Sequence, residues 1–385
     1  MKDEKKLDAV LERFYNSYNK YNTRVLEELG NVIKQFDGLS PSQAHKLAQE
    51  LKYSGDIDKI TNELSKLSGK SVKDIKKLYK EVAKENIGFN EALKIDYNDQ
   101  IDRIALSIAN ETNDTFKNLS NTKNIGFTFK DENEHIVFKP MKQVYRDLID
   151  EAVFNISTGV EDYQSAMRNT MVQLADSGVK VHEDKVSYAS GYNRRIDSSV
   201  RQSVLAGVRK INLGVQELVG EQFGANGYEI SAHFLCADDH LDIQGKQYSK
   251  KEYEELNENL DRPIGELNCK HFAFAIVLGV NLPSYTKEQL KEYKKYSKEK
   301  IEYKGKTYTR YEASQVQRKL ETEIRRQKDR QIISRASGND SEIQKAQSKI
   351  TQLTKEYNNF SKSMDLSTYK NRLSVSGYHR LKSKD

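Results

Sequence analysis

The chain has 385 residues, 31% of them charged and 36% hydrophobic, with a net charge of +6, two cysteines, four prolines and no tryptophan. That length permits two or three domains and a sizeable core, whereas two cysteines exclude a disulfide framework. The N-terminus, MKDEKKLDAV, lacks the apolar centre of a signal peptide, and the longest apolar run, 272–278, falls far short of the ~20 residues of a membrane span; the expectation is a soluble protein made in a reducing cytoplasm.

Taken in order, residues 1–37 read as an amphipathic helical pair, with Leu7, Val10, Leu11, Phe14 and Tyr18, then Val25, Leu29, Val32, Ile33 and Phe36, at helical spacing. Ser40-Pro41-Ser42-Gln43 has the form of a helix start with a capping box. Short helices are expected over 42–53, 56–68 and 71–86, the last capped by Ser71, and a longer one over 89–118 that carries Leu93, Tyr97, Ile101, Ile104, Ala105 and Ile108 on one side. Residues 126–129 and 135–138 flank a polar turn and predict a hairpin. Helices follow over 140–153, 160–177 and 192–223, the last with a stripe of Ile196, Val200, Val204, Val208, Ile211 and Val215.

At Tyr228 the period changes from helical to two, as in a half-buried strand. Residues 243–248 read as a second short strand or a turn, 250–259 as a polar helix, and 272–278 as a buried run. From 286 on the chain is helical and basic: 25 Lys/Arg against 13 Asp/Glu give it about +12, leaving about -6 for the rest. Helices are expected over 286–300, 311–334 and 341–360, with 361–385 loose. The basic end suits an anionic neighbour or a solvated face. Arg318, Arg325 and Arg326 are its candidate contacts to a nucleic-acid backbone, and Tyr303, Tyr308 and Tyr311 either stack on exposed bases or pack between helices.

Chemistry concentrates in 228–283, which holds both cysteines and three of the seven histidines. His233, His240, Cys269 and His271 have the side-chain types of a tetrahedral zinc site, with Cys236 as a substitute. The spacing is not that of a standard zinc finger. The alternative is that Cys269 is a small buried hydrophobe and the histidines are satisfied by hydrogen bonds. A Cys–His pair also has the parts of a nucleophile and base, and His240 and His271 with Lys246 those of acid–base phosphodiester cleavage. Asp238, Asp239 and Asp242 are either a hard-metal site or caps of the turn.

Beyond these readings, the pattern from about residue 145 onward resembles the phage minor capsid protein 2 family. The likeness is carried by Tyr188-Ala189-Ser190-Gly191, Ile196-Asp197, Val200-Arg201, Glu229-Ile230-Ser231-Ala232-His233, His240, Gln244-Gly245-Lys246, Gly265 and Asn268-Cys269-Lys270-His271. Tyr311-Glu312-Ala313, Gln315, Gln317-Arg318 and Ile324-Arg325 extend it. Ala237-Asp238 stand where the family often has an arginine and a proline, and Ile243 where it often has a tryptophan. Cys236 is particular to this chain, so the set matched to the family is His233, His240, Cys269 and His271.

The resemblance implies a structural protein of a tailed-phage head, made in the host bacterial cytoplasm and carried in the virion. It implies a place near the portal among other head proteins, contact with packaged DNA, and no enzymatic role. The rivals are a nuclease-like or toxin-like enzyme at the Cys/His cluster and a non-specific nucleic-acid-binding protein. The expected fold is mainly α with a small α+β segment: an elongated helical body, a central short-stranded hub and a basic helical tail. The expected regions are an N-terminal helical region (1–120), a helical body with a hairpin (121–226), the Cys/His segment (227–285) and the basic tail (286–385).

Overall fold

A computed structural model of the chain describes residues 4–88, 98–121, 123–159, 162–182, 194–265 and 269–381. The fold is mainly helical with small antiparallel sheets, as the periodicity predicts. Leu93, Tyr97, Val160, Tyr188–Gly191 and Asn268 lie outside the described residues.

The N-terminal residues form one helix, α1 (Glu4–Phe36), rather than a pair. Nothing inside it caps or breaks it, and Gly30 serves packing instead: a Cβ there would lie 2.6 Å from the Cβ of Ala336. Helix α2 (Pro41–Tyr53) starts at Ser40, whose N–H donates to Gln43 Oε1 at 2.9 Å. Helix α3 (Asp56–Gly88) runs through the break expected at Ser71. That serine is buried and its hydroxyl donates to Leu67 O at 2.9 Å, one turn back, while receiving Tyr18 Oη at 3.1 Å. A serine in a helix interior is tolerated in this way, so its cap-like appearance misleads.

Helix α4 (Asn98–Ser120) precedes strands β1 (Ile125–Lys130) and β2 (Ile136–Pro140), the expected hairpin. Helices α5 (Met141–Ser157), α6 (Tyr163–Ala166) and α7 (Arg168–Ser177) follow, then strands β3 (Lys180–Val181) and β4 (Arg194–Arg195), which complete a sheet of order β2-β1-β3-β4. Helix α8 (Ile196–Gln222) buries the whole predicted β-branched stripe. At Gly207 a Cβ would lie 1.8 Å from Tyr79 Oη, so only glycine lets α8 lie against α3 there; Tyr79 Oη reaches Val204 O at 3.3 Å.

Strands β5 (Gly227–Ile230), β6 (Gln247–Ser249) and β7 (Ala273–Ile276) make a second sheet, order β6-β5-β7, with helix α9 (Lys250–Glu258) on it. Its small core is Tyr228, Ile230, Tyr253, Ile264, Cys269 and Ala273. Helix α10 (Lys287–Lys298) leads into a hairpin of β8 (Lys300–Tyr303) and β9 (Lys306–Thr309), which periodicity missed because its strands are short and polar. Helices α11 (Arg310–Ser337) and α12 (Asp340–Ser363) pack as a pair. Tyr303 and Tyr308 stand edge-on to Phe360 at 5.2 and 5.7 Å, so both pack within the fold.

The basic end is tied into the body. Ile332 and Ile333 of α11, and Val375 beyond α12, belong to the same core as α1 and α8. The expectation of a loose 361–385 is corrected for its described part: Ser376 N–H donates to Asn19 Oδ1 at 2.8 Å, and Lys328 Nζ donates to Leu373 O at 2.6 Å. These anchors are polar and therefore invisible to hydrophobic periodicity.

Charge lies at the centre of this junction. Arg195 NH1 meets Asp329 of α11 at 2.7 Å and NH2 meets Asp197 of α8 at 3.5 Å; both carboxylates are 0% exposed. Asn19 and Asn22 of α1 donate to Asp197 and Asp329 at 3.3 and 3.4 Å, and Asn22 Oδ1 accepts Val179 N–H at 2.7 Å. Removing one partner of such a group leaves an uncompensated buried charge. Arg195→Met is therefore expected to cost about 3–5 kcal/mol, read as a lowered urea midpoint.

Burial also pushes the phenols of Tyr15 and Tyr18 up to about 12, and those of Tyr79 and Tyr163 further still. In the unfolded chain a tyrosine ionises near pH 10. A raised folded-state pKa gives stability that is intact below about pH 10 and is lost as pH climbs toward about 12, by up to ~1.4 kcal/mol per pH unit for each such tyrosine. Urea midpoints taken across that window should fall steeply, with the rise in tyrosinate absorbance coinciding with unfolding.

Candidate functional site

The Cys/His segment is shaped by β5 and the loop that returns from it to β6. Gly245 N–H donates to Ile230 O and Ile230 N–H to Lys246 O, at 2.8 and 3.1 Å, which closes residues 231–244 into a loop. Within it Leu235 takes a left-handed φ of 59°, and a single 3-10 turn, Asp238–His240, turns His240 inward. Gly245 has φ 69°. On the other side, Ser231 N–H donates to Phe272 O at 2.8 Å and Phe272 N–H to Ser231 Oγ at 2.9 Å. That pairing fixes Cys269 and His271 beside the loop, just before β7.

His240, Cys269 and His271 are buried together. Cys269 Sγ is 3.5 Å from His240 Nδ1 and 3.3 Å from His271 Nδ1, and the two Nδ1 atoms are 3.3 Å apart. The far edge of each ring is engaged: His240 Nε2 donates to Arg262 O at 2.7 Å and His271 Nε2 to Gln244 Oε1 at 3.2 Å. Gln244 Oε1 also accepts His233 N–H at 3.0 Å, which fixes the amide's orientation.

His233 stands outside that triangle. Its ring lies 4.3 Å from the His271 ring, its Nδ1 donates to Phe234 O at 2.7 Å, and its Nε2 is buried with no hydrogen-bond partner. Cys236 Sγ donates to Ala237 O at 3.3 Å and lies 3.6 Å from His271 Nε2, the edge away from the cluster.

Electrostatics separates the members. Burial disfavours a charged His240, but Cys269, the Arg262 carbonyl and Asp239 outweigh it and raise its pKa. Burial likewise disfavours a Cys269 thiolate, yet the His240 bond and backbone N–H donors lower its pKa. Burial, with His233 and His240 alongside, holds His271 down at about 3, so it is neutral. Burial pushes the Cys236 thiol up to about 12.

The cluster opens on a cleft of about 340 Å³ between the hub and the start of α11, lined also by Arg262, Lys270, Tyr311, Arg318 and Arg372. Arg262 is held by Asp239, with Nε at 3.1 Å from Oδ2, and Asp242 pairs with Lys294. Of the three tail arginines, Arg318 and Arg326 are exposed. Arg325 instead donates to Tyr15 Oη at 2.7 Å inside the helical body.

Sequence reasoning gave no role to Gln244, Arg262 or Glu229. Glu229 is buried in β5 and accepts Gln247 Nε2 at 2.8 Å and Ser284 N–H at 3.1 Å, which pins the exit of the hub. Gln244 and Glu229 were marked in the sequence only by their place in the family resemblance, which assigned them no role.

A helical body with a thiol–imidazole hub defines the class as a mainly helical protein with a small α+β segment. The family model described as phage minor capsid protein 2 matches residues 3–362, and the chain belongs to that family. It is a phage minor capsid protein, and its partners are other phage head proteins. Comparison with curated proteins and with solved structures finds no match for the chain.

Replacing Gln244 by leucine keeps the volume and removes the acceptor of both His271 Nε2–H and His233 N–H. Each orphaned donor should cost about 1–3 kcal/mol, measurable by urea denaturation.

Proposed function

We propose that the protein is built into the phage head close to the portal, meets the packaged DNA through its basic C-terminal helices, and turns over no substrate. The observation that carries this reading is the family match, which extends over residues 3–362 and so takes in the body, the hub and the tail as far as the end of α12. Charge supports the DNA contact: residues 286–385 carry 25 Lys/Arg against 13 Asp/Glu, and Lys291, Lys295, Lys319, Arg326 and Lys349 are exposed. Lysines and arginines on a solvated surface bind the phosphate backbone without base readout, through release of counterions.

A docking face for another head protein follows the hub sheet. Val280 and Leu282 are 74% and 89% exposed, in the segment that leaves β7. Asn281 beside them is anchored, its Oδ1 accepting Val277 N–H at 2.7 Å, so the two apolar side chains are presented from a held turn. These two side chains are the anchor that this reading assigns to a partner surface. Among the described residues no helix is long and apolar enough to cross a membrane.

Two experiments test this. Leu282→Asp should leave folding and thermal stability unchanged while lowering the amount of protein in purified heads; normal incorporation would count against this docking face. Binding to duplex DNA should weaken linearly in log–log fashion with salt, and Lys291→Glu with Lys295→Glu should reduce the slope by about 0.9 for each phosphate that is no longer neutralised. A slope near zero in the parent protein removes DNA binding from the proposal. Protein detected by mass spectrometry only outside purified particles would overturn the virion role.

A further inference from the structure

We infer that His240 Nδ1, His271 Nδ1 and Cys269 Sγ are three ligands of a structural zinc ion, and that His233 Nε2 is the fourth. The distances carry the first part. A tetrahedral zinc with bonds of about 2.0–2.1 Å to nitrogen and about 2.3 Å to sulfur sets its ligand atoms about 3.3–3.4 Å apart for N···N and about 3.5–3.6 Å for N···S. Here the N···N edge is 3.3 Å and the two N···S edges are 3.3 and 3.5 Å. Three donor atoms already sit at the corners of one face of such a tetrahedron.

Protons give a second, independent argument. Arg262 O and Gln244 Oε1 only accept, so each neutral ring carries its hydrogen on Nε2 and turns a lone pair on Nδ1 toward the other ring and the sulfur. Without a cation, a single proton, on the Cys269 thiol or on His240 Nδ1, is left to serve all three atoms in a buried space. The same carbonyl contacts are the outer partners that hold ligating histidines in tautomer and orientation. The His271 N–H donates to Cys269 Sγ at 3.4 Å, which suits a thiolate.

Geometry also chooses between the cysteines. Cys236 lies against Nε2 of His271, the edge turned away from the shared point, and its own S–H is spent on Ala237 O. Cys269 binds as thiolate, its proton passing to solvent as the metal enters. One thiolate and imidazoles are ligands for zinc rather than for magnesium or calcium. The fourth position falls to His233, whose Nδ1 is committed to Phe234 O and whose Nε2 is buried without a partner beside the His271 ring. His233 Nε2 is not among the three clustered atoms, so binding there requires that ring to move toward them. The ion would staple the loop after β5 to the segment before β7, two pieces otherwise joined across a core of only a few buried side chains.

The test uses the full-length protein. Elemental analysis of purified protein should find about one zinc per chain. After chelation, cobalt(II) added alone should give the visible bands of a tetrahedral site with a thiolate charge-transfer band. Cys269→Ser should lose the zinc and that band, and Cys236→Ser should keep both. His233→Ala should retain cobalt with at least ~10-fold weaker affinity, an effect that removal of outer partners alone already produces. A parent protein that takes up neither zinc nor cobalt overturns the site, and that measurement stands even where a variant fails to fold. Metal kept by Cys269→Ser also overturns it. Unchanged affinity in His233→Ala removes His233 from the ligand set.

Discussion

One guanidinium holds two carboxylates where no water reaches them. Arg195 stands between Asp197 and Asp329, and the amides of Asn19 and Asn22 close around the same group. The burial cost of three charges is large, and attraction offsets it only when the geometry and the additional hydrogen bonds are good. Here those bonds come from α1, α8, α11 and the short strands between them. Helices α1, α8 and α11 are thereby set in one register. Asp197 is held as a carboxylate despite its burial, because Arg195 and the donors around it lower its pKa. Burial raises that of Asp329, although Arg195 works against the rise.

Around that centre the body is packed closely enough that side-chain volume decides which helices meet. Gly30 lets α11 cross α1 and Gly207 lets α3 lie against α8. Ion pairs at the periphery extend the same arrangement: Arg330 binds Asp176 of α7 through two bonds of 2.6 Å. Basic residues of the tail thus divide into two groups. Some, such as Arg325 and Arg330, are consumed in holding the fold, and others on α10 and α12 face solvent. A count of charges along the chain does not separate them.

The hub is joined to the tail by aromatic packing. Phe234, in the loop that carries His233 and His240, lies edge-on to Tyr293 and Tyr296 of α10, at 4.5 and 4.8 Å. Glu229 holds the backbone at Ser284 from inside the sheet. The polar cluster is therefore seated in a frame that reaches the helices on either side.

Much of this was legible before any coordinates. The stripe on α8, the hairpin of β1 and β2, the change of period at Tyr228 and the polar helix α9 were read from the sequence pattern, because burial of one face imposes a period on side chains. The type and neighbourhood of His233, His240, Cys269 and His271 marked the chemical centre. Other features were not legible. Ser71 has the form of a cap and sits inside a helix, since its hydroxyl finds a carbonyl in its own turn. The β8–β9 hairpin is too short and polar to show a period. Sequence by itself determined the helical class and the family, and it marked the candidate metal ligands, since these depend on composition, spacing and side-chain type. Tertiary structure alone decided that three of the four donors meet at one point, that Cys236 turns away, and that Asp329 of the tail belongs to Arg195. Those facts rest on hydrogen bonds between residues that lie far apart along the chain, and no local pattern encodes them.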